Sequence, residues 1–347
     1  MTKEAKNTTP EKTDDIITVP WQGAGVAVNE DEIKTAEQLM VEADLDWKVV
    51  ERPLSFTPDP MSPMREVEVK THKMIMRDTD HAPLGVVGIG WTPFQNHEAF
   101  DFVDKLIEAG ALRYHSAGSF KNGSVIWIQA EFAQSEILPG DVHKKYLLLV
   151  SSFDGSFSIR IGETDIRVSC MNTLRMALVD AAVAEKDKIS EIRIRHTQSL
   201  KEKVAAAEKA ILMARARSLR MDSFMKALTR LHMTSEMWTD FGLQMIPKPE
   251  EGKRTTRSDN NRNAILGLAA TGRGQDIPGV AGTGYAAFNA VTEFVNYKRS
   301  SRGEGELQKQ HNRFKSTLIG QSGKMVAHAA TVLNGYLVNQ GLQVETV

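Results

Sequence analysis

A single cysteine among 347 residues, Cys170, excludes an internal disulfide, so the stability of this chain has to come from packing. Its apolar, strand-like surroundings suit a buried structural thiol in a reducing cytoplasm. Aromatic residues are scarce at 7%, which leaves few rings for stacking on bases. The formal net charge is −1, so attraction to a polyanion has to come from local patches and not from the field of the whole molecule. No window approaches the ~18 apolar residues of a membrane span. The start, MTKEAKNTTPEKTDD, lacks an apolar signal core, and a cytoplasmic location is expected. Nine histidines include no HExxH, no HxH pair and no Cys/His cluster, which gives zinc no support. Spacing assigns no nucleophile, base and orienter to one another, and no cofactor is implied. No internal repeat stands out.

What is present is ordinary globular composition, 41% hydrophobic and 25% charged, in a length that suits two domains or one large one. Residues 1–16 are polar and free of aromatics and are expected to be a disordered tail. Thr35 caps a short helix, TAEQLMVEADL; WKVVERPLSF, REVEVKTHKMIMRD and LGVVGIG follow as strands. Asn96 is placed as the N-cap of a helix whose apolar face is Phe100, Val103, Leu106 and Ile107. Two hairpins come next. Asn122-Gly123 in SFKNGSVIWIQ and Asp154-Gly155 in LLLVSSFDGSFSIRI supply the positive φ of tight type I′ turns. A further strand, DIRVSC, runs into Asn172, expected to cap a helix TLRMALVDAAV. The fold class expected for residues 17–196 is α+β with a largely antiparallel sheet of hairpins.

From Thr197 the texture becomes helical to residue 347. A long helix carries Leu200, Val204, Ala207, Ile211, Ala214, Met221, Met225 and Leu228 at a spacing of three to four. That stripe docks on its own sheet, pairs with another helix or mates with a second copy of the chain. Exposed polar loops are expected at about 248–284, where Lys248–Arg273 reads as a loop around a short helix, and at 300–310.

Four glycine-bearing strings invite a nucleotide reading. GVVGIG lies within a strand pattern and lacks the strand-turn-helix order of a dinucleotide fingerprint. GQSGKM lacks the four-residue gap of a P-loop and the Ser or Thr after Lys324, and is expected to be a turn interrupting a helix. GAGVAV is too short to argue from. TGRGQDIPGVAGTGY, with Arg273, precedes a helix N-terminus, where partial positive charge favours phosphate; a flexible connection is the plainer reading. His97 and His115, and the pairs Asp101/Asp104 and Asp44/Asp46, fit solvated faces. Glu163 and Asp165, between strands and near Arg160 and Arg167, form either a divalent-metal pair or a salt-bridged turn.

Basic residues carry the functional signal. Arg160 and Arg167 fall in consecutive expected strands, and Arg175 at the start of the next helix. Arg193, Arg195, Lys201 and Lys203 follow, then Arg215, Arg217, Arg220, Lys226 and Arg230. From Arg193 to Arg230 there are ten Lys or Arg against three Asp or Glu, an excess that suits phosphate binding or a solvated helix face. Trp127, Phe153 and Phe157 lie in the same hairpins, where core packing is their plainer role.

The ordered series WQGAGVAV, DLDWKVVERPL, LGVVGIGWTPFQNHEAFDFVD, AGSFKNGSVIWIQAEF, SSFDGSFSIRIGETDIRVSCMNTL, IRHTQSL, TGYAAFNAVTEFVNYKRS and RFKSTLIGQSGK resembles a phage/plasmid-like protein family that is a domain of unknown function. The resemblance spans about Trp21 to Lys324. Gln22 stands where relatives commonly show His, and Glu163 lies in a segment often more hydrophobic, so a histidine role at the first position does not carry over. The family supplies no reaction to transfer. It implies carriage by phages, prophages and plasmids beside DNA-processing genes. Joined to the basic residues, this points to a non-enzymatic protein that binds or anneals single-stranded DNA in the host cytoplasm, analogous to phage annealing proteins and acting as an oligomer. Arg160, Arg167, Arg175, Arg193, Arg195, Lys201 and Arg273 are its candidate nucleic-acid-binding residues. The competing readings are a metal-dependent nuclease or nucleotidyl-transfer enzyme using Glu163 and Asp165, and a structural protein whose long helix binds a host protein.

Overall fold

The computed structural model describes residues 24–344, except 30, 60, 62–65, 109–111, 177, 180–191, 197–199, 252–253 and 343. The expected tail at 1–16 lies outside the described residues. The architecture is α+β, with antiparallel sheets first and helices toward the C-terminus.

A small sheet is formed by β2 (Val49–Phe56), β3 (Val67–Arg77) and β4 (Pro83–Gly88), in that order. The large sheet contains β1 (Gly25–Ala27), β5 (Arg113–Phe120), β6 (Val125–Glu136), β7 (Val142–Ser152), β8 (Ile159–Arg167), β9 (Asn172–Arg175) and β10 (Ile192–Ile194). Its order is β1-β5-β6-β7-β8-β10, with β9 also paired to β8. Residues Ile159–Ile161 of β8 pair with β10, and Thr164–Arg167 pair with β9. Two glycines allow the first strand to join: Gly25 and Gly118 face one another across β1 and β5, and a methyl on Gly118 would lie 2.9 Å from the Trp127 ring and 2.5 Å from the Gly25 backbone.

Helix α1 (Ala36–Glu42) starts as expected, because Thr35 accepts from the Gln38 amide while Gln38 accepts from that of Thr35. Helix α2 (Asn96–Glu108) differs by one position. Its first residue is Asn96, and the backbone amide of Gln95 donates to Glu98 at 2.8 Å. The Asn96 amide is buried and donates to the Leu45 and Trp47 carbonyls at 2.9 and 3.2 Å, so it ties the helix to the chain ahead of β2 and caps nothing. The first hairpin also departs from a two-residue turn. Four residues connect β5 to β6, with Lys121, Asn122 and Gly123 all at positive φ (50°, 55° and 91°). At the second, Gly155 has φ 71° and the Asp154 carboxylate accepts from the Ser156 amide.

The helical layer comprises α3 (Leu200–Arg230), α4 (Ser235–Met245), α5 (Thr256–Thr271), α6 (Gly284–Glu293) running into a π-turn at Phe294–Lys298, α7 (Gly305–Ile319) and α8 (Gln321–Asn339). Thus the 248–284 stretch holds a 16-residue helix, and α7 begins inside the second polar stretch. The glycine-rich segment before α6 is packed down, with Gln275, Val280 and Thr283 buried. GQSGKM does mark a break, at Gly320 between α7 and α8.

Alternation along the central strands creates two apolar faces. Ile126, Ile128, Leu147, Leu149, Ile159 and Ile161 pack with Phe100 and Val103 of α2 and with the small sheet. Trp127, Leu148, Val150 and Ile166 lie on the other face beneath Phe314 and Leu318 of α7. The helices build their own core around Phe224, Leu228, Phe288, Val291 and Leu333. Helix α3 joins the two: Ala214 belongs to the sheet core, and Met221, Phe224 and Leu228 belong to the helical one. No helix of the described residues is long and apolar enough to cross a membrane.

Candidate nucleic-acid interface

One strand, β8, distributes the charged residues. Ile159 to Arg167 is a single continuous strand, so GETD makes no turn. Arg160 and Arg167 are an odd number of residues apart and therefore point to opposite faces. Glu163, Asp165 and Arg167 share the inner face, toward the helices.

That inner face carries a chain of buried ionisable groups. The Asp165 carboxylate accepts from His143 Nδ1 at 2.5 Å and from Lys145 Nζ. Lys145 also meets Asp222 of α3 at 2.7 Å. His143 Nε2 lies 2.7 Å from the Tyr285 hydroxyl, which donates to Asp141 at 2.6 Å. Arg167 donates from Nε to Asp141 at 2.6 Å and from Nη2 to the Gly274 carbonyl at 2.8 Å, with its guanidinium 5.1 Å from the Tyr285 ring centre. Asp141, His143, Lys145, Asp165, Arg167 and Tyr285 are all at most 1% exposed. Register explains the assembly: His143 and Lys145 of β7 sit directly opposite Arg167 and Asp165 of β8. Beside them Arg217 of α3 binds both oxygens of Glu163 at 2.7 and 2.8 Å.

The electrostatics follow from this pattern of neighbours. Burial pushes the Asp165 carboxyl up, but His143 and Lys145 outweigh it and hold the group at about 2. Burial likewise lowers Lys145, and its two aspartates more than restore it. For Glu163 burial wins over Arg217 and the carboxyl is raised. The Tyr285 phenol is driven well up by burial and remains a proton donor. Opposite charges thus meet inside the protein, and Glu163 and Asp165 present no carboxylate to solvent. The expected salt-bridged turn is corrected to a mid-strand network, and Arg167 is removed from any phosphate-facing surface.

The outer face of β8 gathers a different set. Arg160 stands directly opposite Arg193 in the β8–β10 register. Arg195, two residues farther on, is exposed, as is Arg193. Arg175 was expected on a helix, but Asn172 to Arg175 form β9, and Asn172 donates to Thr292 of α6 at 3.2 Å and caps nothing. From β9 the Arg175 guanidinium crosses Gly162, where a methyl would lie 3.4 Å from its Nε, and donates to the Leu318 carbonyl at 2.6 Å. Arg175 is 7% exposed and forms the floor of this face. With Arg160, His311, Lys315 and Phe157 it lines a narrow cavity of about 30 Å³, room for a single water. The Arg160 guanidinium lies 6.0 Å from the Phe157 ring centre. His311 packs against the Phe120 ring, and burial together with Lys121 and Lys315 pushes its imidazole down to about 4.

The arginines expected to act together therefore divide. Arg160, Arg175, Arg193 and Arg195 meet on the outer face; Arg167 lies on the other side of the sheet. Arg273 is exposed in the glycine-rich segment, 5.6 Å from the Tyr297 ring centre. The Lys201 side chain lies outside the described residues. Trp127 and Phe153 are core residues, while Phe157 is half-buried. His311 and Lys315 were missed. Their spacing of four on one face of α7 was legible, but nothing in the sequence says that this face lies over β8.

No curated protein and no solved structure matches the chain. A family described as Domain of unknown function (DUF932) matches residues 83–318, from β4 to the end of α7, which takes in both faces of β8 and the helices α3 to α7. The chain belongs to this DUF932 family, a domain of unknown function.

Proposed function

We propose that this protein binds single-stranded nucleic acid without bond-making chemistry, through the outer face of β8, β10 and α7. The observation that carries the reading is the opposition of Arg160 and Arg193 in register, with Arg195 beside them and Lys315 above. Two guanidinium groups that share one register position can hold a single anion by charge-assisted hydrogen bonds from both. His311 beside them is depressed first by burial and then by Lys121 and Lys315, so part of its shift comes from cations that line this face. Phe157 beside Arg160 offers a ring for an unpaired base, which favours a single strand over a closed duplex. Carriage on phages and plasmids, implied by the family resemblance, fits a role in recombination or replication, with a second copy of the chain or a host protein as further partners.

Fluorescence anisotropy with labelled single-stranded and duplex DNA over a salt series tests this. The reading expects a salt-sensitive complex that prefers the single strand. The pair of exposed substitutions Arg193→Gln and Arg195→Gln should lower the log–log salt slope by roughly 0.7 for each phosphate that is no longer neutralised. Binding unaffected by salt, or equal in wild type and the double variant, rules the face out.

A further inference from the structure

On the far flank of α7 lies a second basic site that the strand-binding face does not use. From Lys298 to Lys324 the sequence has seven Lys or Arg against two Glu. The fold wraps this segment around a cleft of about 570 Å³, between the end of the π-turn, α7 and the start of α8. Arg299, Arg302 and Arg313 line it. Among the described residues none of the three pairs with a carboxylate; Arg299 has only the Ser322 hydroxyl, at 3.4 Å. Arg313 Nε is buried and has no hydrogen-bond partner among the described residues. A buried guanidinium N–H without an acceptor costs free energy and marks a place for one.

The remaining lining is preorganised. Ser316 donates to the Ser322 hydroxyl at 2.9 Å and accepts from the Ser322 amide at 3.2 Å, which locks the turn between the two helices. Asn312 donates to the Arg302 carbonyl at 2.8 Å and holds the loop that carries this arginine. The 19-residue α8 begins at the cleft with no acidic residue in its first turn, so its N-terminal partial charge adds to the arginines. The cleft has the volume of a small-molecule site, and among the described residues no aromatic one lines it. It is built to hold charged oxygens and has no ring for a base.

We infer that this cleft binds a phosphate group, of a small phosphate ester or of the 5′ end of a nucleic-acid strand, between Arg299, Arg302 and Arg313. Calorimetric titration of the full chain with inorganic pyrophosphate tests it. One saturable site is expected. Arg302→Gln, at an exposed position, should weaken it about tenfold, as the removal of one charge-assisted hydrogen bond would. In the Arg193→Gln/Arg195→Gln background, where the anion site of the strand-binding face is weakened, the binding that Arg302→Gln reduces should persist, which separates this cleft from that face. Arg313→Gln, checked by thermal melting for an intact fold, should weaken it at least as much. Competition then identifies the source: displacement by a 5′-phosphorylated oligonucleotide but not by its 5′-hydroxyl counterpart assigns a strand end, and displacement by neither assigns a small phosphate ester. Absence of saturable pyrophosphate binding, or equal affinity in wild type, Arg302→Gln and Arg313→Gln, overturns the inference.

Discussion

Replacing Tyr285 by Phe removes one oxygen from the middle of the buried charge network and leaves the ring in place. That oxygen donates to Asp141 at 2.6 Å and lies 2.7 Å from His143 Nε2, and all three residues are at most 1% exposed. Water has no easy access to replace it. Each hydrogen bond to a charged group contributes roughly 1.5–3 kcal/mol, and the substitution removes both bonds at once. Because the two share one network their effects do not add fully, and about 3 kcal/mol of destabilisation is expected. Asp141 retains Arg167 at 2.6 Å, and His143 retains Asp165 at 2.5 Å, which keeps the cost below that of an isolated buried charge. Urea unfolding followed by circular dichroism should show a lower midpoint with an unchanged slope. A double-mutant cycle with Asp141→Asn should return a coupling of about 1 kcal/mol or more. A destabilisation under about 1 kcal/mol with no coupling would refute the argument that these bonds hold sheet and helices together.

The held-down carboxyl of Asp165 makes a second test. Its folded value, about 2, lies below the ordinary 3.8, so its contribution is present above pH 3.8 and is lost as pH falls through about 2; acid titration of stability should lose that segment in Asp165→Asn. His311 works in the same direction at higher pH. Its folded value of about 4 lies below 6.5, the unfolded chain binds the extra proton, and stability should fall as pH drops from about 6.5 toward 4 and do so less in His311→Gln. A polyanion on the same face would raise His311, so strand affinity should increase from pH 7 to pH 5, with the increase flattened in that variant. Gly118→Val should destabilise by about 2 kcal/mol or more in thermal or urea unfolding, since the new side chain would run into the Gly25 backbone and the Trp127 ring.

Local chemistry was legible wherever neighbours in sequence decide the outcome. The Thr35–Gln38 capping box, the positive φ at Asn122, Gly123 and Gly155, and the stripe of α3 from Ile211 to Leu228 all involve groups within a few residues of one another. The side chains of Leu200, Val204 and Ala207 lie outside the described residues. Misreadings arose where a distant partner competes. Asn96 and Asn172 have ideal capping side chains, but the carbonyls of Leu45 and Trp47 claim one and Thr292 of α6 claims the other. Thr173 to Arg175 carry nothing against a helix; the edge of β8 at Thr164–Arg167 makes them a strand.

The sequence by itself determined the antiparallel hairpins, the helical second half and the supply of arginines, because alternation, turn residues and periodicity are properties of short segments. Only the tertiary structure decided what each charge does. The two-residue period of a strand sent Arg160 outward and Arg167 inward, and register set Arg193 opposite the first and His143 opposite the second. Packing of α3 and α6 then enclosed the inner set with its counter-charges, while packing of α7 and α8 gathered Arg299, Arg302 and Arg313 around one cleft. Register and packing depend on partners as far as 144 residues apart, as between Asp141 and Tyr285, and composition carries no record of that distance.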